Sequence, residues 1–210
     1  MRTEARTDVG LTPATTGPIP ASRYWVFGAI TLGGLAFDLG TKQWVFDTLG
    51  CPGQAAWEWC IPDLVRFRLH TNFNHGALWG LGQGWTGLFA LLSGVAVFAI
   101  LFVLFARQQA RSKWLTVALA FVTAGALGNL YDRTGLHGFL DDKGQVVYAV
   151  RDFLYFRFFE TFDWAIFNFA DSFLVTGAIM LVIHSLFSEQ PATTAAALPA
   201  TASAGSPPPA

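Results

Sequence analysis

The chain has 210 residues, of which 53% are apolar and only 13% charged, with a net charge of −1. That charged share is about half of what a soluble domain carries, so a single water-surrounded core is excluded and lipid is the natural solvent. Near-zero charge provides no basic field for nucleic acid and excludes that partner class.

In chain order, residues 1–22 mix Thr, Ala, Pro and charges without periodicity and are expected to form a disordered tail. No compact apolar core follows an early basic cluster, so no cleaved leader is expected. Residues 24–46 form the first expected span, apolar as far as Phe37 and then carrying Asp38 and Lys42. Those two stand at i,i+4 and are expected to form a structural ion pair. Residues 47–86 form an outer segment in which Leu64 to Leu69 alternate with period two, as in a short strand. Cys51 and Cys60 lie there. They can close a small disulfide ring in an oxidising compartment or stay as two thiols, and without a nearby His pair they fall short of a metal site.

Residues 87–106 are twenty in number without a charge, and a helix of that length rises about 30 Å, one hydrocarbon thickness. Residues 114–131 give eighteen more, with Gly125, Gly128 and Asn129 near the end. A second outer segment, 132–163, ends in an aromatic run from Phe153 to Trp164 that is expected to lie at the interface. The fourth span, 164–187, is interrupted by Asn168, Asp171 and His184, and residues 188–210 read as a second disordered tail.

The expected fold is an all-α polytopic membrane protein. Four transmembrane helices lie within 23–187, with a small extracytoplasmic platform containing β-structure and disordered termini. Four crossings put both termini on one side. The loop holding Arg107, Arg111 and Lys113 has no acid, which places it and the termini in the cytoplasm. Raw counts tie, however: Arg2, Arg6, Arg23 and those three face Arg66, Arg68, Arg133, Lys143, Arg151 and Arg157 outside.

A carboxylate inside a span costs several kcal/mol unless it is paired, protonated or facing water, so each is a functional candidate. Asp171 stands about five residues below an outer boundary at Ile166, roughly 7–8 Å at helical rise. Asn168 precedes it by three on the same helix face. Asn129 and Arg133 are four apart at the outer end of the third span, where glycines allow close helix approach.

These residues resemble a known family. Gly128-Asn129-Leu130-Tyr131-Asp132-Arg133 is similar to the Gly-Asn-x-x-Asp-Arg motif of lipoprotein signal peptidases, and Asn168-Phe169-Ala170-Asp171 to their Asn-x-Ala-Asp. Asp38-Leu39-Gly40-Thr41-Lys42 resembles their Asp-x-x-Thr-Lys, Asn74-His75-Gly76-Ala77 their Asn-x-Gly-Ala, and Val150-Arg151-Asp152-Phe153 their Val-x-Asp-Phe. The resemblance covers about residues 23–187. It implies an aspartyl endopeptidase of the bacterial inner membrane, multi-pass, with its site near the extracytoplasmic face. It also implies cleavage of diacylglyceryl-modified prolipoproteins before the lipidated cysteine. Asp152 and Asp171 are the implied catalytic pair. Asn74, Gly76, Asn129, Arg133 and Asn168 would bind substrate or support the pair, and Asp38, Lys42 and Asp132 would hold the fold.

Two departures stand out. Counting forward from His137-Gly138 reaches Asp142, whereas counting back from Asp171 reaches Asp152. Val150 and Phe153 favour Asp152, Asp141-Asp142-Lys143-Gly144 reads as a solvated turn, and the stretch 139–149 is then an insertion. Leu78 stands where many members have a smaller residue. No cofactor or metal is implied, and the expected partners are lipidated substrate and membrane lipid, with the enzyme a monomer.

Other classes fit less well. A presenilin-type protease finds Tyr131-Asp132 but no Gly-x-Gly-Asp. A transporter predicts polar residues at mid-membrane, whereas here they crowd the outer ends; His184 reads as a helix-terminus residue. A serine or cysteine hydrolase lacks a histidine within reach of Ser172 or either cysteine.

Overall fold

The computed structural model describes residues 18–50, 53–76 and 81–187. Both expected disordered tails, most or all of their length, lie outside the described residues, as do Cys51, Ala77 and Leu78. Four helices and a four-stranded antiparallel sheet make up the described chain, so the all-α expectation understates the β-structure.

Helix α1 (Ala21–Leu49) starts directly after Pro20 and ends at Gly50, whose positive φ of 71° lets its N–H donate to the Phe46 carbonyl at 3.0 Å. Strands β1 (Ala55–Ile61) and β2 (Val65–Asn74) form a hairpin, extending the short expected strand to ten residues. Helix α2 (Thr86–Leu101) runs on through a π-helical turn to Ala106. Helix α3 (Lys113–Arg133) is capped by Ser112, whose hydroxyl accepts the Leu115 N–H at 3.2 Å. Strands β3 (Val150–Phe158) and β4 (Phe162–Asp163) follow, and α4 (Phe169–Phe187) closes the described chain.

Among the described residues, three helices are long and apolar enough to cross a membrane: Thr86–Ala106, Lys113–Arg133 and Phe169–Phe187. Their outward faces fit lipid. Phe98 on α2 is 72% exposed and Val175 on α4 is 58% exposed, side chains that water would penalise. Helix α3 is the centre of the bundle, packed against α1, α2 and α4. Glycines let it approach α4: a Cβ on Gly125 would overlap the Ala170 carbonyl and stand 2.8 Å from Leu174 Cγ, and one on Gly177 would stand 2.7 Å from the Ala118 carbonyl.

The sheet runs β1-β2-β3-β4. Val45 and Phe46 at the end of α1 pack with Leu69, Phe153 and Leu154, which seats the sheet on the helix bundle. The aromatic run after residue 153 is therefore not a purely interfacial segment. Phe153 and Tyr155 are buried in a strand whose first six residues are all buried, so both of its faces are covered. Similarly, the fourth apolar run does not become helix at Trp164. Phe167 pairs with β3 first, exchanging hydrogen bonds with Leu154 at 2.8 and 3.1 Å, and the helix begins two residues later.

Candidate active site

The pairing of Phe167 with Leu154 brings the beginning of β3 against the beginning of α4, and so Asp152 against Asn168 and Asp171. Asn168 is the residue before α4. Its Oδ1 accepts the Asp171 N–H at 3.0 Å, while an Asp171 oxygen accepts the Asn168 N–H at 3.2 Å. This is a reciprocal capping box, with the first-turn donors of the helix satisfied by side chains. The third exposed donor of that turn, the Ala170 N–H, is taken by Asp38 at 2.8 Å. Asp171 therefore lies in the first turn of α4 rather than a helical turn below its start.

The same Asn168 spends its amide on the other carboxyl. Its Nδ2 donates to Asp152 Oδ1 at 2.6 Å and stands 3.3 Å from Asn129 Oδ1. Asn74, at the end of β2, donates to Asp152 Oδ2 at 3.0 Å, and Asn129 donates to Asp171 Oδ1 at 2.8 Å. Every oxygen of the two carboxyls thus accepts one hydrogen bond, and each partner comes from a different strand or helix end. Asp152 is 1% exposed. Burial, and next the neighbouring Asp171 carboxylate, push its pKa up to about 8.

Asn74 also forms a turn of its own, accepting the Gly76 N–H at 2.9 Å; the Gly76 carbonyl in turn accepts from Arg133 at 3.0 Å. The Arg133 guanidinium stacks over Phe89, 5.3 Å from the ring centre, and its Nε is buried without a hydrogen-bond partner. Beneath the carboxyl pair lies a layer of buried charge. Lys42, with no exposed side-chain surface, stands 2.8 Å from Asp38 and 3.2 Å from Asp132, and donates to Asn129 Oδ1 at 3.2 Å. Asp132 is also held by Arg151, through Nε at 3.0 Å and a second guanidinium nitrogen at 2.9 Å.

All ten residues singled out in the sequence therefore meet in one place. Asp142 does not: it is exposed in a turn whose N–H groups at Lys143 and Gln145 are bound by Asp141. Two residues of the layer escaped the sequence reading, Arg151 and Gln43, which accepts from Arg151 at 2.9 Å. Arg151 gave little signal, because an arginine next to an apolar residue in a strand ordinarily points to the opposite, exposed face. Gln43 gave no signal.

One groove adjoins the site, and a second cleft lies beside the residues that flank Asn74. An apolar groove of about 590 Å³ is lined by Phe156, Phe158, Trp164, Phe167 and Val175, with Asp171 and Ser172 at its wall. A more polar cleft of about 910 Å³ lies between His75, Thr86 and the hairpin at 139–148.

The sequence model for the family described as signal peptidase (SPase) II matches residues 30–187. A lipoprotein signal peptidase of Rhodopirellula baltica is 41% identical over 178 residues, spanning 83% of this chain and 79% of the relative. One from Bifidobacterium longum is 37% identical over 169 residues, 80% of this chain and 82% of its own. A bacterial membrane enzyme solved by the in meso method at 2.3 Å superimposes with a TM-score of 0.62 at 27% identity, over 77% of this chain and 88% of that one. Another, at 1.9 Å, gives 0.61 at 27% identity over 79% and 95%. A family match that spans α1 to α4, with relatives of this identity over most of the chain, makes this protein a member of the signal peptidase II family of membrane peptidases.

Proposed function

We propose that this enzyme removes the signal peptide from diacylglyceryl-modified prolipoproteins, cutting before the lipidated cysteine, with Asp152 and Asp171 as its catalytic pair. The observation that carries the reading is the bridging by Asn168. Its side chain binds Asp152 at 2.6 Å and its backbone N–H binds Asp171 at 3.2 Å, so one residue ties both carboxyls together. Two carboxyls held this way share a proton, because both cannot ionise cheaply. Burial, and next the neighbouring Asp171, push the Asp152 pKa up, so the pair holds a proton at neutral pH and titrates as a unit; the reading starts with that proton on Asp152.

Hydrolysis then balances simply. The Asp171 carboxylate takes a proton from water as the water oxygen bonds to the scissile carbonyl carbon. Asp152 gives its proton to the carbonyl oxygen. When the tetrahedral intermediate collapses, the C–N bond breaks, the leaving amine takes the proton from Asp171, and the hydroxyl proton returns to Asp152. Arg133, Asn74 and the Gly76 backbone, joined by hydrogen bonds beside Asp152, would hold substrate backbone. The apolar groove beside Asp171 suits diacylglyceryl chains, and its aromatic walls would leave them in a hydrocarbon-like medium.

The proposal extends to the topology and the assembly state. Helix α1 is the fourth crossing, its buried Asp38 and Lys42 neutralising each other at the outer end. The sheet faces the extracytoplasmic side of a bacterial inner membrane, both termini are cytoplasmic, and the enzyme acts as a monomer. The test uses purified enzyme with two reporters, one carrying diacylglyceryl-cysteine and one unmodified. Only the lipidated reporter should be cut, giving a product whose N-terminus is the lipidated cysteine by mass spectrometry. Equal cutting of both, or of neither, contradicts the proposal.

A further inference from the structure

Lys42 has no exposed side-chain surface, and its ammonium meets three acceptors on three residues: Asp38, Asp132 and Asn129. The two acids account for its charge. The third contact has no part in charge balance, and it leads to the catalytic pair. We propose that Lys42 is a positioning residue of the aspartate pair, acting through the orientation of the Asn129 side chain. This rests on the reading of Asp152 and Asp171 as the catalytic groups.

An amide side chain has an accepting end and a donating end. Asn129 Oδ1 faces Lys42 Nζ at 3.2 Å and Asn168 Nδ2 at 3.3 Å, while its Nδ2 faces Asp171 Oδ1 at 2.8 Å. Turned over, the amide would press its NH2 against an ammonium and another NH2, and its oxygen against a carboxylate. All three contacts would become repulsive. The ammonium therefore keeps a donor aimed at Asp171. Lys42 itself cannot wander, because Asp38 and Asp132 hold it, Asp38 is anchored on the Ala170 N–H, and Asp132 is fixed by Arg151. Asp38 and the α3 motif thus join in one function: each fixes the lysine that orients the asparagine.

Charge gives a second readout. The charged groups acting on Asp152 are Lys42 from α1, Arg133 from α3 and Asp171 from α4. Lys42 favours the ionised form of Asp152, so its loss moves the alkaline limb of the rate profile to higher pH.

The experiment is a cycle on the lipidated reporter with Asp38→Asn/Lys42→Met, Asn129→Ala and their combination, each normalised to folded enzyme. Removing the ion pair together leaves Asp132 with Arg151 and avoids a lone buried charge. A misplacement of this kind costs about 10- to 100-fold in kcat, with KM roughly unchanged. The alkaline limb should move up, and in the Asn129→Ala background the loss of the ion pair should add no further loss of kcat. Wild-type kcat and an unmoved limb in Asp38→Asn/Lys42→Met, or losses that multiply in the combination, would overturn the positioning role. If that variant does not reach the membrane, the cycle is run with Asp38→Asn/Lys42→Gln, and multiplying losses there overturn it equally. Failure of the wild type to cut would instead contradict the peptidase reading itself.

Discussion

A carboxyl group at 1% exposure, with a second carboxyl beside it, keeps its proton well into the neutral range. The rate of cutting should therefore fall as pH rises through about 8, where Asp152 loses the proton it must donate. The sign for stability follows from linkage. An acid whose pKa is raised on folding stabilises the fold below its unfolded value, about pH 4. That contribution is lost as pH climbs towards the folded value of about 8. Melting in detergent should accordingly show stability declining between those values, and Asp152→Asn should flatten the decline; an unchanged slope in the variant would contradict the burial account. Asn168→Ala removes both a helix cap and the amide that binds Asp152. Its cap alone is worth about 0.5–2 kcal/mol, and cutting should fall further than that loss of stability explains.

At the level of elements, the site depends on how closely α3 and α4 approach. A Cβ on Gly128 would overlap an Asp38 carboxylate oxygen and lie 3.2 Å from Ala170 Cβ, so Gly128→Ala should separate Asp38 from the first turn of α4. Overpacking of this kind costs about 1–3 kcal/mol, measurable as a lower melting temperature, with activity reduced in step. Helices α2 and α3 were legible from the sequence because uncharged runs of eighteen or more residues have few other uses. The ends of elements were less so. Residues 164–167 are as apolar as the helix that follows, and composition cannot say that Phe167 pairs with β3 before the helix starts. The Asn-x-x-Asp spacing carried the signal, since it is a cap pattern as well as a helix-face pattern. The longer reach of β2 was hidden by its bulge between Leu69 and Asn72, which breaks the period-two alternation.

For the whole molecule, two acids and two bases are buried behind the carboxyl pair: Asp38, Asp132, Lys42 and Arg151. Their charges cancel, and removing one member strands another. Arg151→Met should destabilise the fold by about 3–5 kcal/mol, read as loss of the protein from the membrane or a lower denaturation midpoint. This layer also explains why charge counting gave no clear orientation. Arg151 is buried in the site, and Arg66 and Arg157 are paired with Glu58, Glu160 and Asp163, so three of the six outer basic residues are spoken for by acids. The motif residues of the site were legible because their chemistry is out of place in lipid. Arg151 and Gln43 were not, since Arg151 fills the variable position of its motif, Gln43 belongs to none, and only the folded contacts of β3 with α1 and α3 give them a role. With Cys51 changed to Ser, Cys60 is exposed on β1 and should react with a membrane-impermeant maleimide added outside intact cells lacking an outer-membrane barrier. Labelling only after the membrane is opened would reverse the proposed orientation.

The most direct test of the central claim is cutting of the lipidated reporter by Asp152→Asn, Asp171→Asn and Asp142→Asn, each at matched amounts of folded enzyme in the membrane. Loss of the shared proton chemistry should reduce the rate by about 100-fold or more in the first two, while Asp142→Asn, in its exposed turn, cuts as the wild type does. Activity surviving in Asp152→Asn and lost in Asp142→Asn would contradict the account, and would move the catalytic pair to the insertion.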